Sequence, residues 1–155
     1  MIVVDTNVLL NLFCESPLSH YARLVRAKDG DWIVPPLWRY EFMNGLAKAM
    51  WKGLLAESIA IEIMNNAIEC LAAKEIEPSH DAVLGLAGKR RITAYDAAYV
   101  ALARHLGVLL VTEDGELNEK LPEVAYSMAR FTGKQSPGMV CESTPVYGRS
   151  KAARK

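Results

Sequence analysis

Cysteine is scarce in this chain and widely scattered. Cys14, Cys70 and Cys141 lie 56 and 71 residues apart, with no C-x-x-C pair. That excludes a disulfide scaffold and a structural zinc module, and makes a reducing compartment the simplest context. His20, His80 and His105 have no ligand spacing to one another, so they are expected at the surface or satisfied within the fold. Long apolar runs are missing too. The opening Met-Ile-Val-Val meets Asp5 directly with no basic region before it, so neither a signal peptide nor a membrane span is expected, and the location expected is cytoplasmic. An excess of one charge is likewise lacking. Lys and Arg number 18 against 18 Asp and Glu, which excludes the strongly basic make-up of a nonspecific nucleic-acid coat. The cancellation conceals an asymmetry: residues 128–155 hold six bases and one acid, a balance of plus five, and the 127 residues before them carry minus five.

What is present is enough apolar residue, 51% of 155 positions, to bury the core of one domain. Residues 2–4 form a β-branched run that stops at Asp5-Thr6-Asn7, as a buried parallel strand does. Helical spacing follows over 8–13 and from Pro17 to Asp29-Gly30. A strand is expected at 32–34, stopped by Pro35-Pro36, then a helix over 37–51 and a longer one over 54–73. Residues 75–77 read as a brief strand and 81–87 as a short helix stopped by Gly88. A strong helix over 94–106 closes at Gly107, the clearest strand covers 108–111, and 124–128 suits an edge strand. Strands separated by helices predict an α/β fold with a central parallel sheet and helices on both faces. The domain is expected to span 1–128, followed by a basic tail over 129–155 that contains proline and glycine.

Four carboxylates stand where an apolar pattern stops or is interrupted: Asp5, Glu41, Asp96 and Asp114. Each has an ordinary reading beside the functional one. Asp5 and Asp114-Gly115 suit turns. Thr93-x-x-Asp96 matches a capping box. Glu41 suits a solvated helix face, although Gly45 one turn later would leave space beside it. Open parallel sheets bind ligands beyond the carboxyl ends of their strands, where Asp5 and Asp114 both fall, and Asp96 shares the inward stripe of Tyr99, Val100 and Ala103. Two carboxylates about 4 Å apart repel by roughly 4 kcal/mol at an effective dielectric near 20, a large part of a small domain's stability. Folding would not gather such groups, whereas a hard Mg²⁺ or Mn²⁺ ion would. Such an ion activates water for attack on phosphorus, so phosphodiester hydrolysis is the chemistry implied.

Four segments carry a resemblance: Val4-Asp5-Thr6-Asn7-Val8-Leu9-Leu10, Pro36-Leu37-Trp38-Arg39-Tyr40-Glu41-Phe42, Tyr95-Asp96-Ala97-Ala98-Tyr99-Val100-Ala101-Leu102-Ala103, and Leu110-Val111-Thr112-Glu113-Asp114. In this order and spacing they resemble the PIN-domain ribonucleases, most of all the VapC-type toxins of toxin–antitoxin modules, over about residues 1–127. The resemblance implies a central parallel sheet, dependence on Mg²⁺ or Mn²⁺, and endonucleolytic cleavage of RNA. Asp5, Glu41, Asp96 and Asp114 match the family's acidic positions, with Asp5, Asp96 and Asp114 as the implied metal ligands. Asn7 and Thr112 match its supporting polar positions. Members often have an aspartate two residues after the last acid, and Glu116 stands there, a third supporting residue. A small antitoxin is the implied protein partner, and the helix over 54–73 is a candidate contact for it or for a homodimer.

Other readings stay open beside this one. An inactive PIN-like interaction module has the same four acids. A phosphoaspartyl phosphatase needs a second aspartate two residues after its nucleophile, where Asn7 stands. A receiver-like signalling domain resembles an acidic pair after the first strand, where Asp5 is alone. Trp38, Phe42 and Leu46 recur at helical spacing and are expected in the core. Lys89-Arg90-Arg91 suits an RNA phosphate contact or a solvated loop equally.

Overall fold

In the computed structural model, which describes residues 1–134, strand β1 (Ile2–Val4) runs through the middle of a four-stranded sheet and is wholly buried. Its neighbours are β2 (Trp32–Ile33) and β3 (Leu110–Val111), and β4 (Ala125–Tyr126) extends the far edge. All pairings are parallel, in the order β2-β1-β3-β4. Val3 stands opposite Ile33 on one side and Leu110 on the other. The expected brief strand at 75–77 is a single bridge between Glu75 and Val34.

Period-two alternation divides the sheet's side chains between two cores. Ile2, Val4, Trp32, Val34 and Val111 point to one face, which is covered by α1 (Thr6–Phe13), α2 (Ser19–Lys28), α3 (Trp38–Trp51) and α4 (Glu57–Leu71). Trp38, Phe42 and Leu46 are buried there, as the spacing predicts. Val3, Ile33, Leu110 and Ala125 point to the other face, against α6 (Ala94–Leu106) and α7 (Gly115–Lys120). The alanines of α6 let it lie close to the sheet and to α5 (His80–Arg90), and Gly107 ends it with φ +67°. Helices therefore flank the parallel sheet on both faces. Among the described residues no helix is long and apolar enough to cross a membrane.

Three boundaries differ from expectation. The chain past 128 is not all tail: α8 (Met128–Thr132) buries Met128, Ala129 and Phe131 and packs on α2, with Lys28 Nζ donating to the Phe131 carbonyl at 2.5 Å. The basic residues from Arg149 onward lie outside the described residues. Asp114-Gly115 is not a simple turn but the start of α7, which is anchored by buried Leu117 and Leu121. Gly88 does not stop α5, because an interior glycine costs only about 1 kcal/mol. The helix ends instead at Arg91, whose φ of 54° is left-handed.

If α8 belongs to the core, Phe131→Ala should lower the unfolding free energy by about 3 kcal/mol, measured by urea denaturation. A loss under about 0.5 kcal/mol, the ordinary range for a surface change, would return this segment to the tail.

Candidate active site

The connections leaving β1 reach β2 on one side and, after the long helical crossover, β3 on the other, so the carboxyl ends of β1 and β3 form a topological switch point. Asp5 is the first residue past β1. Its N–H donates to the Val111 carbonyl at 3.0 Å, pinning it between the two strands. It stands at the N-cap of α1, yet its side chain makes no capping bond. The carboxylate Oδ2 accepts instead from Asn7 Nδ2 and from Thr112 Oγ1, both at 2.6 Å. Thr112 is fully buried. Its hydroxyl donates to Asp5 and accepts from Asn7 Nδ2 at 3.1 Å and from the Asp114 N–H at 3.0 Å, which uses its one proton and both lone pairs. Asn7 Oδ1 takes the Glu113 N–H at 3.1 Å. The Glu113 carboxylate in turn accepts the Met128 N–H at 2.6 Å, tying the loop after β3 to α8.

Glu41 is half-buried rather than solvated. Its Oε2 accepts from Tyr99 at 2.6 Å and from Thr6 at 3.0 Å, and those two hydroxyls are 2.6 Å apart, so two protons serve three short contacts. Burial, then the charges of Asp5 and Glu41, push the Tyr99 phenol far above its ordinary value, which keeps it a neutral donor. The space expected beside Glu41 at Gly45 is filled by Leu10: a Cβ there would stand 2.6 Å from Leu10 Cδ1, so the glycine allows α1 and α3 to approach closely. Asp96 makes the expected capping box, its Oδ2 accepting from Thr93 Oγ1 at 2.7 Å and its N–H donating to that oxygen at 3.1 Å. Asp114 caps α7, its Oδ1 accepting the Leu117 N–H at 2.9 Å.

Electrostatically the acids are not independent. Burial raises the Asp5 carboxyl from 3.8 to about 7; the Thr112 bond opposes this, and the charges of Glu41 and Asp96 add to it. The structure thus brings Asp5 within the field of Glu41 and of Asp96 and ties Asn7 and Thr112 to Asp5. Asp114 joins through its backbone. Glu116 stays outside, exposed and paired with Lys120 across one helical turn. Arg90 acts on Glu123 near the amino end of β4, the sheet end opposite the site. Two residues of the site are not singled out by the sequence pattern, Thr6 and Tyr99. The available signals were Thr6's place directly after Asp5 and Tyr99's place one turn beyond Asp96.

A shell of Asp5, Asp96 and Asp114 is not preassembled: the described residues contain no group of three or more His, Cys, Asp or Glu placed to hold a metal ion. Asp96 and Asp114 each accept from a nearby donor instead, the Thr93 hydroxyl or the Leu117 N–H. The donor set still fits a hard divalent cation. It is all oxygen, and Mg²⁺ takes one or two carboxylates while keeping several waters.

The sequence model of the PIN domain matches residues 2–120. Ribonuclease VapC3 of Pyrobaculum aerophilum is 34% identical over 125 residues, covering 78% of this chain and 95% of that protein. Exonuclease VapC9 of the same organism is 31% identical over 118 residues, covering 76% of this chain and 84% of its own length. A toxin–antitoxin complex from Klebsiella pneumoniae contains a chain of the same fold, with a TM-score of 0.62 at 17% identity over 83% of this chain and 98% of that one.

Because the native Asp5 carboxyl titrates near 7 and the unfolded one near 3.8, the native state binds the extra proton between these values and loses stability as pH rises through them. Thermal melts in EDTA from about pH 4 to 8, which bracket that window, should show this fall in the unmodified chain and a flatter profile in Asp5→Asn. The variant should melt higher at the alkaline end. Parallel profiles would mean that Asp5 is solvated.

Proposed function

Since the chain belongs to the PIN-domain family, we propose that it is a divalent-metal-dependent ribonuclease that cuts RNA endonucleolytically as the toxin of a toxin–antitoxin pair. One observation carries this: a carboxylate buried at the carboxyl end of the central strand, within electrostatic reach of Glu41 and Asp96 and held, among the described residues, by neutral donors alone. A buried carboxylate without a cationic partner costs stability, and a hard cation bound there would relieve that cost. Asp5, Asp96 and Asp114 are the ligands in this reading. The ion supplies an activated water and charge neutralisation on the phosphate. The chain's own residues supply the positioning. Asn7 and Thr112 hold Asp5 in one orientation. Thr6 and Tyr99 hold Oε2 of Glu41. Its Oε1 has no hydrogen-bond partner among the described residues and is free to orient a water.

Relatives named as a ribonuclease and an exonuclease of the VapC type support nuclease chemistry. The second name raises exonucleolytic trimming as the other reading, and cleavage of a circular RNA, which offers no end, separates the two. Phosphoaspartyl transfer is not favoured, because Asn7 donates to Asp5 where that chemistry needs an acid. An antitoxin partner belongs to the same reading, supported by the fold shared with the Klebsiella complex. So does a homodimer, for which Leu54, Ile59 and Ile61 offer an exposed apolar contact on and beside α4.

RNA cleavage should require Mg²⁺ or Mn²⁺ and stop in excess EDTA; persistence there would exclude the metal mechanism. Asp5→Asn and Asp96→Asn should each lose at least about a hundredfold in turnover with native circular dichroism, as removal of a metal ligand must exceed the cost of an outer partner. Tyr99→Phe, which keeps the ring and removes the donor to Glu41, should cost about ten- to a hundredfold. Glu116→Gln should change little. Equal losses at Glu116 and Asp5 would redraw the site.

A further inference from the structure

A recess of about 360 Å³ opens from the site along the seam between α1 and α3. Asn7 and Glu41 of the site line it together with Leu10, Gly45, Ala49 and Lys48. Because the recess is bordered by Glu41 and Asn7 themselves, whatever occupies it is continuous with whatever is bound at the acids. Its length suits a chain. Glu41, Asn44 and Lys48 lie on one stripe of α3 at i, i+3 and i+7, which sets the backbone of Lys48 ~10 Å along the helix axis from that of Glu41.

The charge pattern selects the occupant. Lys48 is exposed and has no ion-pair partner among the described residues, unlike Arg39, Lys74, Arg104 and Lys120, each of which has an acid. Asn44 is exposed beside it, its amide able to donate and to accept. The first 127 residues carry a net charge of minus five, and the site is itself acidic, so a polyanion needs a local cation to lie here. Given a ribonuclease at this site, we propose that the α1–α3 groove receives the RNA strand on one side of the scissile phosphate. Lys48 contacts a backbone phosphate there, and Leu10 and Ala49 form the apolar floor beneath a sugar or base. The groove admits a single strand. Lys48 is a positioning residue and takes no part in bond breaking.

Binding of a short labelled single-stranded RNA, followed by fluorescence anisotropy in EDTA across a salt series, tests this apart from catalysis. Lys48→Gln should weaken binding about fivefold, and should flatten the dependence of log K on log salt by about 0.7, the share of one phosphate in single-stranded nucleic acid. Ala49→Leu fills the groove and removes no charge, so it should weaken binding with the slope unchanged. With Mg²⁺ present, both should raise KM far more than they lower kcat. Lys74→Gln, a charge loss on another face, should behave as the unmodified chain does. Unchanged affinity and slope in both groove variants, with RNA still cleaved, would overturn the groove assignment alone and leave the recess to a protein segment. Equal weakening by Lys74→Gln would overturn it as a general charge effect. An unmodified chain that neither binds nor cuts RNA would overturn the ribonuclease reading as well.

Discussion

The placement of one carboxylate constrains everything around it. Asp5 follows a strand that is buried on both faces, so its backbone is held by the β3 carbonyl of Val111 and its side chain has nowhere to go but the crevice between the two strand ends. Burying a charge there costs free energy unless it is hydrogen-bonded or paired. Among the described residues the fold offers hydrogen bonds only, from Asn7, Thr112 and the Thr6 backbone, and these offset part of the cost without cancelling it. The loop after β3 is arranged around the same need, since Thr112 is shared between Asp5, Asn7 and the Asp114 N–H.

The remaining acids show how a small domain tolerates such a cluster. Asp114 caps α7, and Asp96 accepts from the Thr93 hydroxyl that caps α6, so each is tied to a helix start while standing beside the site. Their ordinary and functional roles are compatible, because each of these bonds uses one carboxylate oxygen. Glu41 is handled differently. It lies in the first turn of α3, and two hydroxyls, one from α1 and one from α6, take its Oε2. The polar triangle of Thr6, Glu41 and Tyr99 thus links helices from opposite faces of the sheet past the carboxyl end of β1, which explains why Tyr99 is buried despite its hydroxyl.

The close approach of α1 and α3 has a geometric cause with a chemical consequence. Gly45 has no side chain where Leu10 packs, so the two helices meet tightly at a recess whose lining includes asparagine and lysine. A larger residue at position 45 would have to displace the end of the Leu10 side chain that packs there.

Local pattern was enough for the central strand, the α/β class, the cores of α3 and α6, and the order of the four acids, because each is written in short-range periodicity and in the residue type at a strand or helix end. The capping role of Asp96 was legible for the same reason, from Thr93 three residues before it. What lay beyond reach depends on residues far apart in the chain. The Thr112 bond to Asp5 spans 107 positions and the Tyr99 bond to Glu41 spans 58, and no local window contains both partners. The five residues of α8 are too few to show a period and read as tail, and only packing on α2 makes them helix and core. The sequence by itself determined which residue types stand at the strand ends. Tertiary structure alone decided which of them share an electric field and which, like Glu116, remain in solvent, because Coulomb energy and desolvation depend on distance and burial in space, and separation along the chain determines neither.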